Sequence, residues 1–185
     1  MLQTILAYAL IGLFFVIERT LRQGQEAKRL DRGAFDRGST IVIGVSFMVT
    51  LLSLLAGLVL AQTLPAGLRW LGIALMVSGL GLRIWALRTL GRFYTRTLLV
   101  TDDQTLVKDE PYTHIRHPGY LGALAMWIGA ALATGSVIIL LIVVAASGFA
   151  YAYRIRSEEA MLVQALGDQY ESYRAKTWRL IPLVY

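Results

Sequence analysis

The sequence predicts an all-α, polytopic membrane protein, a single unit over residues 1–185 with about five transmembrane helices. Three observations predict it. Of the 185 residues, 56% are hydrophobic and only 16% charged, too apolar for a water-soluble domain, so the excess must face lipid. The charges are confined to a few segments between long apolar runs. Those runs have the lengths that a bilayer demands of a helix.

The first run, Met1 to Ile17, carries no charge and closes at Glu18 and Arg19. It is just long enough to span. A signal peptide would show a basic n-region and a small-residue cleavage pattern, and neither is present, so the segment is expected to be a mature helix. Gly38 to Leu68 is again free of charge, and Ile41 to Leu60 is the clearest spanning helix. A third run starts near Trp70 and meets Arg83 and Arg88 on the same helix, which implies an end near the headgroups where long side chains snorkel. The fourth block, Pro118 to Tyr153, has 36 residues without a charge. At about 1.5 Å per helical residue that is too long for one crossing, so it should split at Gly135-Ser136 into a hairpin of two short helices. No two glycines stand at the four-residue spacing that favours close helix dimers.

Five crossings would place the termini on opposite sides. Six Lys/Arg lie between Arg19 and Arg37, six between Arg83 and Arg116 and five between Arg154 and Arg179, against Arg69 alone on the other side. All twelve acidic residues fall on the crowded side. That side is expected to be cytoplasmic, with the N-terminus outside. The net charge of +6 then points to anionic lipid headgroups rather than to nucleic acid, because the basic residues sit between apolar runs. With no cysteine the chain has no disulfide, thiolate metal site or cysteine nucleophile. His114 and His117 are the only histidines and no metal is expected.

Two segments of the crowded side stand out. The first runs from Thr105 through Leu106, Val107, Pro111 and Tyr112 to Arg116-His117-Pro118-Gly119-Tyr120-Leu121-Gly122. Both prolines disfavour helix in the residue before them, so an extended loop should enter a membrane helix at Pro118. Arg116 and His117 would flank a helix N-terminus suited to an anionic group, although Arg116 is equally able to snorkel to phosphate. Tyr112 and Tyr120 are equally able to serve as interfacial aromatics.

The second segment starts at Arg154 and includes Glu158 and Glu159. On a helix, Ile155, Leu162, Leu166, Tyr170 and Tyr173 form an apolar stripe. Gly167 should end that helix, with Asp168 and Glu171 as a capping box for a final turn or two. Glu159 projects within the stripe and Glu158 at its edge, four residues after Arg154. Either Arg154 and Glu158 form an ordinary helical ion pair, or this amphipathic C-terminal helix lies over a cofactor whose hydroxyls or ammonium the carboxylates hold.

Taken together, Leu106-Val107, Tyr112, the Arg116-to-Gly122 motif and the run Arg154, Glu158-Glu159, Leu162, Gly167, Tyr170, Tyr173 and Pro182 resemble the isoprenylcysteine carboxyl methyltransferase family and the related small membrane phospholipid methyltransferases. The resemblance covers residues about 80 to 185. It implies a membrane scaffold over residues 1–80, a catalytic core over residues 81–185, and S-adenosylmethionine as methyl donor, held in a cytoplasmic-face pocket beneath the C-terminal helix. Leu106, Val107, Tyr112, His117, Pro118, Gly119, Tyr120 and Glu158 would hold this cofactor, and Arg154 would meet the methyl acceptor. The family pattern favours Glu158, whereas the helical periodicity singles out Glu159, which stays the second choice. Where relatives often have glycine two residues before the tyrosine, this chain has Glu110. Its first 80 residues share with the family only a helical, membranous character.

The implied function is methylation of a lipophilic or lipidated substrate that enters from the bilayer. For a carboxylate acceptor, Arg154 would orient the anion; for an amine, Glu159 or Tyr120 would keep it neutral. The alternatives are phospholipid N-methylation, an NADPH-dependent sterol-type reductase and a non-catalytic lipid-binding protein.

Overall fold

The computed structural model describes residues 2–21, 36–60, 63–91 and 106–183. The basic clusters within 22–35 and 92–105, and Thr105 at the head of the first segment, lie outside the described residues. Among the described residues six helices follow one another: α1 (Leu2–Leu21), α2 (Ser39–Ala56), α3 (Ala66–Leu90), α4 (Pro118–Thr134), α5 (Val137–Leu166) and α6 (Asp168–Arg174). Among the described residues there is no strand, only an isolated parallel bridge between Ile115 and Trp178. The helices α1, α2, α3 and α5 are long and apolar enough to cross a bilayer, and α4 is a shorter apolar helix of 17 residues.

The break at Gly135-Ser136 falls where the uncharged block requires it. Gly135 takes a left-handed backbone (φ 85°) after the last turn of α4, a conformation that costs glycine no Cβ clash. Its carbonyl accepts the amides of Thr63 and Leu64 at 2.8 Å, so the connection before α3 docks on this turn. The second arm of the hairpin is not short. The helix α5 runs unbroken for 30 residues through Arg154, Glu158 and Glu159, so the expected C-terminal amphipathic helix is its continuation. Gly167 does end it, at φ 50°. The expected capping box does not form: Gly167 is itself the N-cap of α6, and Glu171 pairs with Arg174 at 3.0 Å.

At the centre lies α4, which contacts α1, α2, α3 and α5. It can do so because its buried face is made largely of Gly119, Gly122, Ala123, Gly129, Ala130, Ala131 and Ala133. Helices α3 and α4 run antiparallel at very close range. A Cβ on Gly72 would lie 2.6 Å from the Gly129 carbonyl, and one on Gly79 would lie 2.6 Å from the Gly122 carbonyl. The close-approach signal is thus a pair of glycines seven apart on each helix, two full turns, rather than four apart. Opposite this seam, Trp127 of α4 meets Phe14 of α1 and Phe47 of α2 edge-on, with centroids 5.2 and 5.3 Å away. Large apolar side chains such as Ile5, Val45, Leu52, Leu141 and Phe149 point outward, as a surface solvated by lipid tails requires.

The arginines of α3 divide. Arg88 is exposed, as a snorkelling side chain should be. Arg83 is instead buried, its Nε bonded to Glu18 of α1 at 2.7 Å and its Nη1 to the Gly119 carbonyl at 3.0 Å. A buried guanidinium needs a counter-charge, and Glu18 supplies it. At the other end of α3, Arg69 is also buried and bonds the Ala133 carbonyl and the Thr4 hydroxyl.

Candidate active site

The first turn of α4 and the last three turns of α5 bring the two sequence segments together. Pro118 occupies the first turn with His117 as N-cap, and the His117 carbonyl receives the amides of Tyr120 and Leu121 at 3.1 Å. This places the His117 and Tyr120 rings side by side, stacked at 5.5 Å with planes 14° apart. Pro118 and Gly119 are buried, and a Cβ on Gly119 would meet Arg83 Nη1 at 3.3 Å.

Two polar clusters meet at these rings. In one, the Tyr120 hydroxyl donates to Glu158 Oε2 at 2.5 Å and receives Arg154 Nε at 3.4 Å. Among the described residues Glu158 Oε1 accepts no hydrogen bond. Arg154, itself buried, extends its Nη1 to Asp36 Oδ1 (3.2 Å), Ser39 Oγ (2.9 Å) and Thr40 Oγ1 (3.2 Å) at the start of α2. A hydrogen-bonded route to Glu158 therefore runs through Tyr120, and Asp36 is a chain-distant charged partner. Burial alone would raise the Asp36 carboxyl, but hydrogen bonds from Thr40 and Ser39 and the charge of Arg154 outweigh it and hold it below its ordinary value.

In the other cluster Glu159 is buried, as its place in the apolar stripe implies. Its Oε1 accepts Arg116 Nε at 2.9 Å and lies 3.4 Å from His117 Nε2. Its Oε2 accepts Arg179 Nε at 3.0 Å and Nη2 at 2.8 Å. Arg116 also donates from Nη1 to the carbonyls of Arg174 and Thr177. The backbone repeats this fastening: Arg116 N bonds the Trp178 carbonyl at 2.8 Å, Trp178 N the His114 carbonyl at 2.9 Å, and His117 N the Arg179 carbonyl at 3.2 Å. The chain beyond α6 is thus strapped along the Arg-His-Pro segment.

The other residues singled out from the sequence are placed differently. Tyr112 is buried, with its hydroxyl on the Ala86 carbonyl at 3.3 Å and its own carbonyl receiving the Tyr173 hydroxyl at 2.6 Å. Burial pushes the Tyr173 phenol up to about 12, so it stays a donor. Leu106 and Val107 are half-buried in irregular backbone at the near end of this loop. Arg116 and Tyr170 were visible as motif members, and Asp36 and Arg179 carried no motif signal. Among the described residues the Tyr170 hydroxyl, on a residue 1% exposed, has no hydrogen-bond partner, and burial raises its pKa strongly.

The fold and these clusters define an integral membrane protein of helices whose polar chemistry gathers where α4 begins and α5 ends. The sequence profile of the isoprenylcysteine carboxyl methyltransferase family matches residues 71–164, half of the chain, and the chain belongs to that family. It is 37% identical over 82 residues to protein-S-isoprenylcysteine O-methyltransferase of Schizosaccharomyces pombe, covering 44% of this chain and 35% of that protein. To the enzyme of that name from Dictyostelium discoideum it is 31% identical over 122 residues, covering 63% of this chain and 50% of that one. The chain therefore spans a third to a half of the length of these relatives. The structure of the eukaryotic intramembrane Ras methyltransferase ICMT superposes with a TM-score of 0.69 at 22% identity, over 96% of this chain and 65% of that one. The likeness of fold thus includes the first 80 residues, where the sequence shows only helical, membranous character. The division at residue 80 falls inside α3.

Proposed function

We propose that this chain is a methyltransferase that uses S-adenosylmethionine to methylate the carboxylate of a lipophilic, isoprenylcysteine-like substrate at the cytoplasmic face of its membrane. The observation that carries the reading is the Tyr120-centred cluster, in which one hydroxyl joins Glu158 to Arg154. The names of the relatives support the acceptor class, and the gathering of 17 of 18 Lys/Arg on one side supports the orientation.

The residues present fit this cofactor. Among the described residues Glu158 keeps an oxygen without a protein donor, suited to ribose hydroxyls or an ammonium, and the stacked His117 and Tyr120 rings offer π faces to a cation. When bound, the cofactor would supply an electrophilic methyl group on a sulfonium. The protein's part is then positional. Leu106, Val107, Tyr112, Pro118 and Gly119 shape the loop and helix entry beside these polar groups, and Arg154 holds the acceptor anion in line. Displacements of this kind gain most from alignment at about 3 Å, which needs no nucleophilic residue. Glu159, with both oxygens engaged by arginines, is a weaker candidate for a base than for the fastening of α5 to the motif.

The test is binding and turnover on the purified full chain in detergent. Calorimetry should show saturable binding of S-adenosylhomocysteine that H117A and E158A weaken, and labelled methyl should pass to a farnesylcysteine derivative. Transfer to aminophospholipids instead would establish the amine-methylating alternative; no binding to folded protein would reject the reading.

A further inference from the structure

Arg154 is central to the proposed chemistry, yet α5 alone does not determine where its guanidinium points. Asp36 lies in the turn before α2, 118 residues upstream, and is 2% exposed. Its Oδ1 is crowded, accepting Ser39 Oγ at 3.0 Å, Thr40 N at 3.2 Å and Thr40 Oγ1 at 2.6 Å in addition to Arg154 Nη1. Its Oδ2 is buried and, among the described residues, has no hydrogen-bond partner. These facts separate two roles. Capping the start of α2 requires only an acceptor oxygen, which an amide supplies as well as a carboxylate. A buried carboxylate with one oxygen lacking a donor is costly, and the feature that offsets it here is the guanidinium charge.

We infer that Asp36 is a positioning residue for Arg154: its charge, with the Ser39 and Thr40 hydroxyls, fixes the Nη1 edge of the guanidinium and so aims the rest of it at the acceptor. The connection before α2 thereby contributes to a site otherwise built from α4 and α5. With that charge removed, the Nη1 edge keeps neutral acceptors at position 36, Ser39 and Thr40 and loses the ionic contact that holds it there. The kinetic consequence rests on the methyl-transfer reading; the orientation of Arg154 does not.

D36N is the decisive variant, because asparagine keeps the Oδ1 acceptor for Ser39 and Thr40, loses the charge and changes only the buried Oδ2 to an amide NH2 of the same size. The full chain, labelled with nitrogen-15 at arginine, is observed in detergent, and the Arg154 Nε–H signal is assigned with R154K. In D36N that signal should shift and exchange faster while helix content is retained; an unchanged signal would overturn the inference. In turnover, the acceptor KM should rise about tenfold or more with donor affinity unchanged, and an unaltered acceptor KM would overturn it equally. If D36N does not fold, D36E decides, since it keeps the charge and moves it by one methylene. A shifted Arg154 signal with a smaller KM rise supports the role, and wild-type values reject it. Should the wild-type chain transfer no methyl, the functional reading falls, and the Arg154 signal still decides the role of Asp36.

Discussion

Tyr120 donates its hydroxyl to Glu158 across 2.5 Å and so ties the first turn of α4 to a carboxylate 38 residues further along the chain, near the end of α5. The bond engages one oxygen of Glu158, and among the described residues the other accepts no hydrogen bond. It also holds the phenol ring flat against His117.

From this contact it follows that E158A should weaken donor binding about tenfold or more, the worth of hydrogen bonds to a charged group. Y120F keeps the ring and removes the tether, so its loss should be smaller. Calorimetric titration with S-adenosylhomocysteine measures both; an affinity unchanged in E158A would transfer the role to Glu159.

Arg154 should separate the two substrates. R154A is expected to raise the acceptor KM while donor affinity survives, because a hydrogen-bonded link from the guanidinium to Glu158, the proposed donor ligand, passes through the Tyr120 hydroxyl, which Glu158 itself retains. Steady-state kinetics with each substrate varied in turn gives the answer, and equal loss of both would count against an acceptor role.

Glu159 should report on stability. Removing it leaves the nearly buried Arg116 guanidinium and the Arg179 guanidinium without their shared carboxylate, and breaking a buried pair on one side costs about 3–5 kcal/mol. E159A should therefore unfold at clearly lower temperature in detergent. A variant of normal stability with lost turnover would instead place Glu159 in the chemistry.

The α3–α4 seam makes a steric prediction. In G79A the new methyl would lie 2.6 Å from the Gly122 carbonyl and 2.7 Å from Met126 N, backbone atoms that cannot rotate away. The helices must part, at a cost of about 1–3 kcal/mol or more. Gly81, two residues on, has nothing within 4 Å of its Cβ position, so G81A should be neutral. Thermal unfolding of the pair compares them directly.

Asp36 gives an acid limb. Its folded-state carboxyl lies below the ordinary 3.8, so the stability it contributes is fully present above that value and is lost as pH falls towards the folded-state value. The stability of the wild-type chain should fall over that window more steeply than that of D36N, as measured by unfolding in detergent at stepped pH.

The legible parts of this protein are those in which one segment decides for itself. Charge-free runs of spanning length marked α1 and α2, and the excessive length of the block after Pro118 demanded the break that Gly135 makes. The stripe through Ile155 showed that Glu159 would be buried. What periodicity could not show was its function, because the partners Arg116, His117 and Arg179 come from other elements. Arg83 misled for the same reason: an arginine near a helix end snorkels unless a carboxylate such as Glu18 is packed beside it.

The sequence by itself determined the membrane-helical class, the helix breaks and the residue types available to the site, since hydrophobic length, backbone freedom at glycine and the helical period are local properties. Only the tertiary structure decided which charges meet. Asp36 with Arg154 and Glu18 with Arg83 are pairings across one or more helices, and Tyr120 with Glu158 joins α4 to α5. Such pairings, like the glycine seam that lets α3 and α4 approach closely, are properties of two surfaces in contact that neither helix carries alone.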